Sequence, residues 1–288
     1  LTRQNIEVHA GPFDFSSPAL RSSKITATHW LPYCFGDGSE WIEAVRALLG
    51  RERFDLVVPC DERTILAFDR HRAEFSQLCR LAIPSHEDIE ILFDKLNTRK
   101  LAQSVDVPVA SGRLLLESDT AEDVIAAVGL PVVLKPRQSY SLDSLYMRSN
   151  AQILGDAEAV SRALSEASAG HFVVESFFEG CGVGVSVLAS QGRILQAFQH
   201  VRMHESSVGG SSYRRSEPLD PELGDAAERP GSLGPDGRAA ARGNGTELGA
   251  RAEARTGGRP AASGDGTGPL REGIPASAPP APGSPRIR

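Results

Sequence analysis

"GLPVVLKPRQSYSLDSL", Gly129 to Leu145, holds the short run whose reading decides the fold. Pro131 to Lys135 read as a buried β-strand, an aliphatic, β-branched run between glycine and proline. The strand ends on a charged amine rather than on a turn residue. Lysine is scarce elsewhere: only Lys24, Lys95, Lys100 and Lys135 occur, against many arginines. The position of each lysine is therefore informative.

On the N-terminal side of the strand, "DIEILFDKLNTRKLAQSVDVPVASG" (88–112) has apolar residues at helical spacing through Leu101, and the Val-Pro after Asp106 stops the helix. A strand-like "GRLLLES" (112–118) and a helical "TAEDVIAAVG" (120–129) lead into the lysine strand. Beyond it come a helix in "GDAEAVSRALSEASAG" (155–170), a strand in "HFVVESFFEG" (171–180), and two alternating runs, "GVGVSVLAS" (182–190) and "RILQAFQHVR" (193–202). The turn "SQGR" between those runs is a hairpin signal. The pattern predicts an α+β unit whose antiparallel sheet carries Lys135 on one strand and Glu175 on another.

The first region reads differently. "NIEVHAG" (5–11) and "FDLVVPCD" (54–61) are strand-like, and "SEWIEAVRALLGRE" (39–52) between them has helical spacing with Ser39 as N-cap. That β-α-β order predicts an α/β unit with a parallel sheet. Pro59, Cys60, Asp61 and Glu62 fall at the carboxyl end of the second strand, where open α/β sheets place ligand crevices. Asp61 and Glu62 read first as caps of the helix "RTILAFDRHRAEF" (63–75) and only second as ligand residues. No G-x-G-x-x-G fingerprint is present.

Composition excludes several classes. The 288 residues are 40% hydrophobic, enough for a substantial core in one or two domains. No apolar run approaches the roughly 20 residues that cross a bilayer, and no secretory signal precedes the first strand. The expectation is a cytoplasmic protein whose start is missing. Cys34, Cys60, Cys79 and Cys181 show no C-x-x-C spacing and read as reduced structural thiols. A net charge of -6 argues against a nucleic-acid binder.

After Leu223 the chain changes character. Residues 224–288 contain no Phe, Tyr, Trp, Val, Met, Cys, His or Lys, but fourteen Gly, thirteen Ala, nine Pro and nine Arg. Such a segment cannot make a core and is expected to be disordered. Arg, Gly, Ala and Pro belong to GC-rich codons, so a shifted reading frame would produce this composition. A natural low-complexity linker is the rival explanation.

Three motifs in order carry a family likeness: D-K-x-x-T-x-x-L-A-x-x-x-x-V-P at Asp94–Pro108, P-V-V-L-K-P at Pro131–Pro136, and V-V-E-S-F-F-E-G at Val173–Gly180. Together they resemble the ATP-grasp superfamily, in its carbamoyl-phosphate-synthase-like and carboxylate–amine ligase branch. The likeness covers residues 5–223. It divides the chain into a Rossmann-like pre-ATP-grasp domain (1–88), a partial ATP-grasp domain (89–223) and the disordered tail (224–288).

The resemblance implies ATP as cofactor and gives the lysines a role. Lys95 and Lys135 are similar to the two ATP lysines of the fold, whose compact charges neutralise phosphates. Glu175, Ser176 and Phe178 resemble the hinge that reads adenine, with backbone groups on the ring edge and an apolar residue on its face. The loop "RQSYSLDS" (137–144) lacks the glycines of many relatives, and Ser139 and Ser141 offer hydroxyls instead. The usual ribose carboxylate falls at Gly182, leaving Glu179 as the nearest candidate. In "HVRMHESSVGGSSYRRSE" (200–217), a cationic loop hinged at Gly209-Gly210, Arg202, Arg214 and Arg215 are the candidate catalytic cations, placed for a γ-phosphate or an anionic substrate. Pairing of these arginines with Glu205 and Glu217 in a solvated loop is the alternative.

Magnesium is expected of the family, but its ligands, an acidic residue and an E-x-N-x-R-like element on later strands, are not found after Leu223, so no metal ligand is assigned. Three readings compete. The first is an ATP-dependent ligase that activates an unknown small-molecule carboxylate as an acyl phosphate for an amine or similar nucleophile. The second is a noncatalytic nucleotide-binding protein, and the third a nonfunctional fragment. Neither nucleic acid nor membrane is expected as partner, and the sequence does not specify an oligomeric state.

Overall fold

The computed structural model describes residues 6–190, 192–205 and 211–229. The remaining residues, including most of the low-complexity segment, lie outside the described residues.

The first region is built around three aromatic rings. In helix α1 (Ser39–Arg51) the buried residues Trp41, Ile42, Val45 and Leu49 recur at helical spacing and meet Phe68 of α2 (Glu62–Arg70) and Phe75 of α3 (Arg72–Leu78). Trp41–Phe68 and Phe68–Phe75 are both edge-to-face with ring centroids 5.2 Å apart, the arrangement that the ring quadrupole favours. The strands are parallel, as the β-α-β order predicts, but very short and paired differently. β1 (His9–Ala10) pairs with β2 (Ala27–Thr28), and β3 (Leu56–Val57) with β4 (Arg80–Leu81). The two runs expected to share a sheet thus lie in separate two-stranded ladders.

Other boundaries move for local reasons. The N-cap of α1 is Gly38, not Ser39, because the chain turns there at φ +80. A side chain at Gly38 would also stand 3.0 Å from Cys34 Sγ and from a Leu145 methyl, so that turn needs glycine. Asp61 caps α2, its carboxylate accepting from the Thr64 N–H at 2.9 Å. The helix expected over 63–75 breaks at His71. The one expected from residue 88 breaks at Phe93, giving α4 (His86–Leu92) and α5 (Lys95–Ser104), because Asp94 caps a new start through the Leu96 and Asn97 N–H groups.

The second region is the predicted antiparallel sheet, ordered β5 (Gly112–Leu114), β8 (Phe172–Ser176), β6 (Val132–Pro136), β7 (Gln152–Leu154). β7 had no counterpart in the sequence reading. Helices α6 (Ala121–Val128) and α7 (Ala157–Glu166) cover one face, burying Val132, Leu134 and Val174 with Val124 and Val160. Alternation along the strands puts Val133, Lys135, Val173 and Glu175 on the opposite face.

β9 (Val183–Ser190) and β10 (Arg193–Glu205) form the predicted hairpin. The segment expected to be a cationic loop is instead a second hairpin, with β11 (Ser211–Glu217) paired antiparallel to β10. Helix α8 (Pro221–Glu228), capped by Asp220, runs across the composition boundary at Leu223. No helix among the described residues is long and apolar enough to cross a membrane.

Leu134, 1% exposed, sits at the centre of the helix-covered face. Leu134→Ala is expected to cost about 2–5 kcal/mol through lost transfer and a residual cavity, read as a shift of the urea midpoint at unchanged slope.

Candidate functional site

The lysine at the strand end meets a carboxylate. Lys135 and Glu175 lie on one sheet face in diagonal register, and their side chains form an ion pair. Glu175 is buried, and Arg99 of α5 approaches its other oxygen at 3.5 Å while also donating to the Ala110 carbonyl. Arg99 stands four residues after Lys95, on the same face of α5. Across the sheet, Gly112 faces Glu175, and a methyl group there would collide with the Val174 carbonyl and lie 2.9 Å from Glu175 Cγ. Only glycine lets β5 approach this closely.

Lys95 opens α5, directly after its cap. Asp94 is buried and ion-paired with Arg137 at 2.6 Å, and the Lys95 N–H donates to the Arg137 carbonyl at 2.8 Å. Arg137 also donates to the Gly170 carbonyl, so one guanidinium, just after β6, ties the helix start to the turn before β8. The Lys95 ammonium lies 3.4 Å from the Ser139 hydroxyl. Burial lowers the pKa of Lys95, and the charges of Lys135 and Arg148 lower it further, against Glu62 and Asp94. Burial raises the pKa of Glu62, against Lys95, Arg148 and the Ser139 hydroxyl. One cluster therefore holds Glu62, Lys95, Lys135, Ser139 and Arg148, with Glu175 behind it.

The segment after Lys135 is held from the first region. Leu145, 1% exposed, is buried among Cys34, Trp41 and Phe68, and its N–H donates to the Gly36 carbonyl at 2.7 Å. Tyr140 lies against the Arg63 guanidinium, 5.6 Å from its ring centroid, beside Tyr33 and Phe13. Apolar anchoring stands where many glycine-rich loops rely on backbone amides.

Of the residues expected from sequence, Lys95, Lys135, Ser139 and Glu175 come together. Ser141 serves its own turn, its hydroxyl accepting from the Asp143 N–H at 3.2 Å. Ser176 ends β8 with its N–H on the Ser111 carbonyl; Phe178 follows half-buried and Glu179 exposed. Arg202 and Arg214 face each other across the β10–β11 ladder, and the exposed Arg215 pairs with Glu217 at 2.7 Å. Sequence reading assigned no site role to Arg99, Arg148, Asp94 or Arg137. The one available signal was Arg99, a full turn beyond Lys95.

The biotin carboxylase domain of Hydrogenobacter thermophilus 2-oxoglutarate carboxylase, in complex with MgADP, ADP and bicarbonate, superposes with a TM-score of 0.58 at 14% identity, over 88% of this chain and 61% of that one. A biotin carboxylase–ATP complex from Campylobacter jejuni gives 0.57 at 14%, over 79% and 54%. An L-amino acid ligase from Bacillus licheniformis gives 0.52 at 15%, over 78% and 52%. The chain has the ATP-grasp fold. In sequence, it is 30% identical over 142 residues to a formate-dependent phosphoribosylglycinamide formyltransferase from Xanthomonas axonopodis pv. citri, 47% of this chain and 34% of the relative. The chain thus spans about a third of the length of the curated relatives it matches. No family model matches it.

Two outcomes check the site's construction. Gly112→Ala should cost about 1–3 kcal/mol by overpacking, measured by chemical denaturation. For Glu62 the pKa is higher folded than unfolded, so its contribution is fully present in acid and is lost as pH rises through the folded value. Glu62→Gln should therefore gain stability relative to the parent chain as pH goes from about 4, its ordinary range, to neutral. A pH-independent difference between the two chains would show that the carboxyl is not held in a desolvated place.

Proposed function

We propose that this chain binds ATP at the Lys95–Lys135 cluster and descends from ligases that activate a carboxylate as an acyl phosphate for attack by an amine or similar nucleophile. One observation carries the reading. Two cations from separate elements, a helix start and a strand end, come together so that the charges of Lys135 and of the exposed Arg148 disfavour that of the half-buried Lys95. An anion of high charge density relieves that repulsion, and a triphosphate supplies it.

The residues fit the nucleotide. Lys95, Ser139 and Arg148 would hold phosphate oxygens, and Lys135 would reach them from its pair with Glu175. Backbone groups from Ser176 to Phe178 would meet the adenine edge, with Glu179 toward the ribose. Arg202, Arg214 and Arg215, on the second hairpin, remain the proposed cations for the γ-phosphate or an anionic substrate. ATP would supply the phosphoryl group that makes the carboxylate reactive; the protein's part is to orient it and offset its charge. The name of the sequence relatives, with formate as the acid, supports a small carboxylate as the donor substrate.

For magnesium the fit is poorer. Among the described residues, Asp61 is committed to Arg63 and Thr64, Asp94 to Arg137, and Glu175 to Lys135 and Arg99. That favours a second reading, nucleotide binding with little turnover.

Calorimetric titration with ATP and ADP tests the binding. Lys95→Ala and Lys135→Ala should each weaken binding by about 1.5–3 kcal/mol, the range for hydrogen bonds to charged groups. Unchanged affinity in both folded variants would defeat the assignment. ADP formation that requires an added carboxylate and amine separates the ligase from the binding protein.

A further inference from the structure

Far from the lysines in sequence, three side chains of the first region converge. His9 lies on β1, His29 directly follows β2, and Glu52 is the C-cap of α1. His9 Nδ1 and His29 Nε2 are 2.9 Å apart, and Glu52 Oε2 lies 3.5 Å from the latter and 4.0 Å from the former. We propose that His9, His29 and Glu52 form a binding site for a divalent transition metal ion of the zinc class.

Several observations support this. A tetrahedral zinc ion with bonds of about 2.1 Å holds its donors roughly 3.4 Å apart, and the three distances bracket that value. The donor set, two imidazoles and a carboxylate, matches the preference of zinc, with a fourth position for water. His9 also has its outer partner in place: Nε2 lies 3.0 Å from Glu7 Oε1, the carboxylate–histidine arrangement that orients metal-binding imidazoles. Phe54 lies edge-on to both rings, at 5.3 and 5.9 Å, and shields one side.

The proton balance is simple. With its Nε2–H donated to Glu7, His9 presents a lone pair at Nδ1, which accepts the Nε2–H of His29. On metal binding the His29 proton moves to its Nδ1, so both rings stay neutral and both lone pairs face the ion. The role is structural. β1 and β2 share only two residue pairs, and the ion would staple them to the end of α1.

The test uses the full chain with Cys60 and Cys181 changed to Ser, which removes the exposed thiols as competing ligands. After chelator treatment, titration with Zn2+ alone should show one ion per chain and a rise in melting temperature. Substituted Co2+ should show the visible absorption of a tetrahedral centre. His29→Ala should weaken Zn2+ at least 100-fold, and Glu7→Ala by about 10- to 100-fold, the usual effect of removing an outer partner. Because His29→Ala also removes contacts with Phe54, Glu52→Gln serves as the second variant, with the same loss expected. ATP affinity should stay unchanged in all of them. Substoichiometric binding, or binding that survives both His29→Ala and Glu52→Gln, would overturn the proposal.

Discussion

The second region is organised around a buried carboxylate. Glu175 is 12% exposed at its side chain and lies between Lys135 and Arg99, which joins β8 to β6 and to α5. Burying a charge is tolerable only when it is paired, and removing one partner of such a pair typically costs about 3–5 kcal/mol. The close approach at Gly112 and the placing of Arg99 one turn after Lys95 both follow from this centre. It also sets the electrostatics beside the lysine cluster. Glu175 is shared by Lys135 and Arg99, so cations outnumber carboxylates here, and Lys95 and Arg148 add positive charge that Glu62 only partly offsets.

Much of this was legible in the sequence, where period and spacing carry it. The Lys135 strand, the α6 and α7 helices and the β9–β10 hairpin follow from apolar alternation and helical spacing. The pairing of Lys95 with Lys135 followed from ordered motifs. What escaped left no period in the sequence. The break at Phe93 comes from a cap that could equally have sat inside one long helix. β11 was hidden because "SSYRRSE" lacks an apolar alternation, and a strand held mainly by its ladder leaves little trace in side-chain pattern.

The first region shows the reverse balance. Its two-residue strands contribute little, and its order rests on the core of Trp41, Phe68 and Phe75 rings. Strand propensity overstated its sheet because Leu56 and Val58, apolar in sequence, are exposed. The parallel direction survived, since it follows from connection lengths and not from strand length.

Leu145 carries one more consequence. A segment that borders the lysine cluster is seated in the aromatic core of the other region, so its conformational entropy is spent when the chain folds. Occupancy of the lysine cluster would then require little further ordering there, and a ligand would associate with a pre-shaped segment. The same anchorage couples two local stabilities: loosening the packing around Trp41 would also free the segment beside the lysine cluster. Crowding of the first region's interior would in this sense be felt at the lysine cluster, through the Leu145 side chain, its N–H on the Gly36 carbonyl and the Tyr140–Arg63 contact.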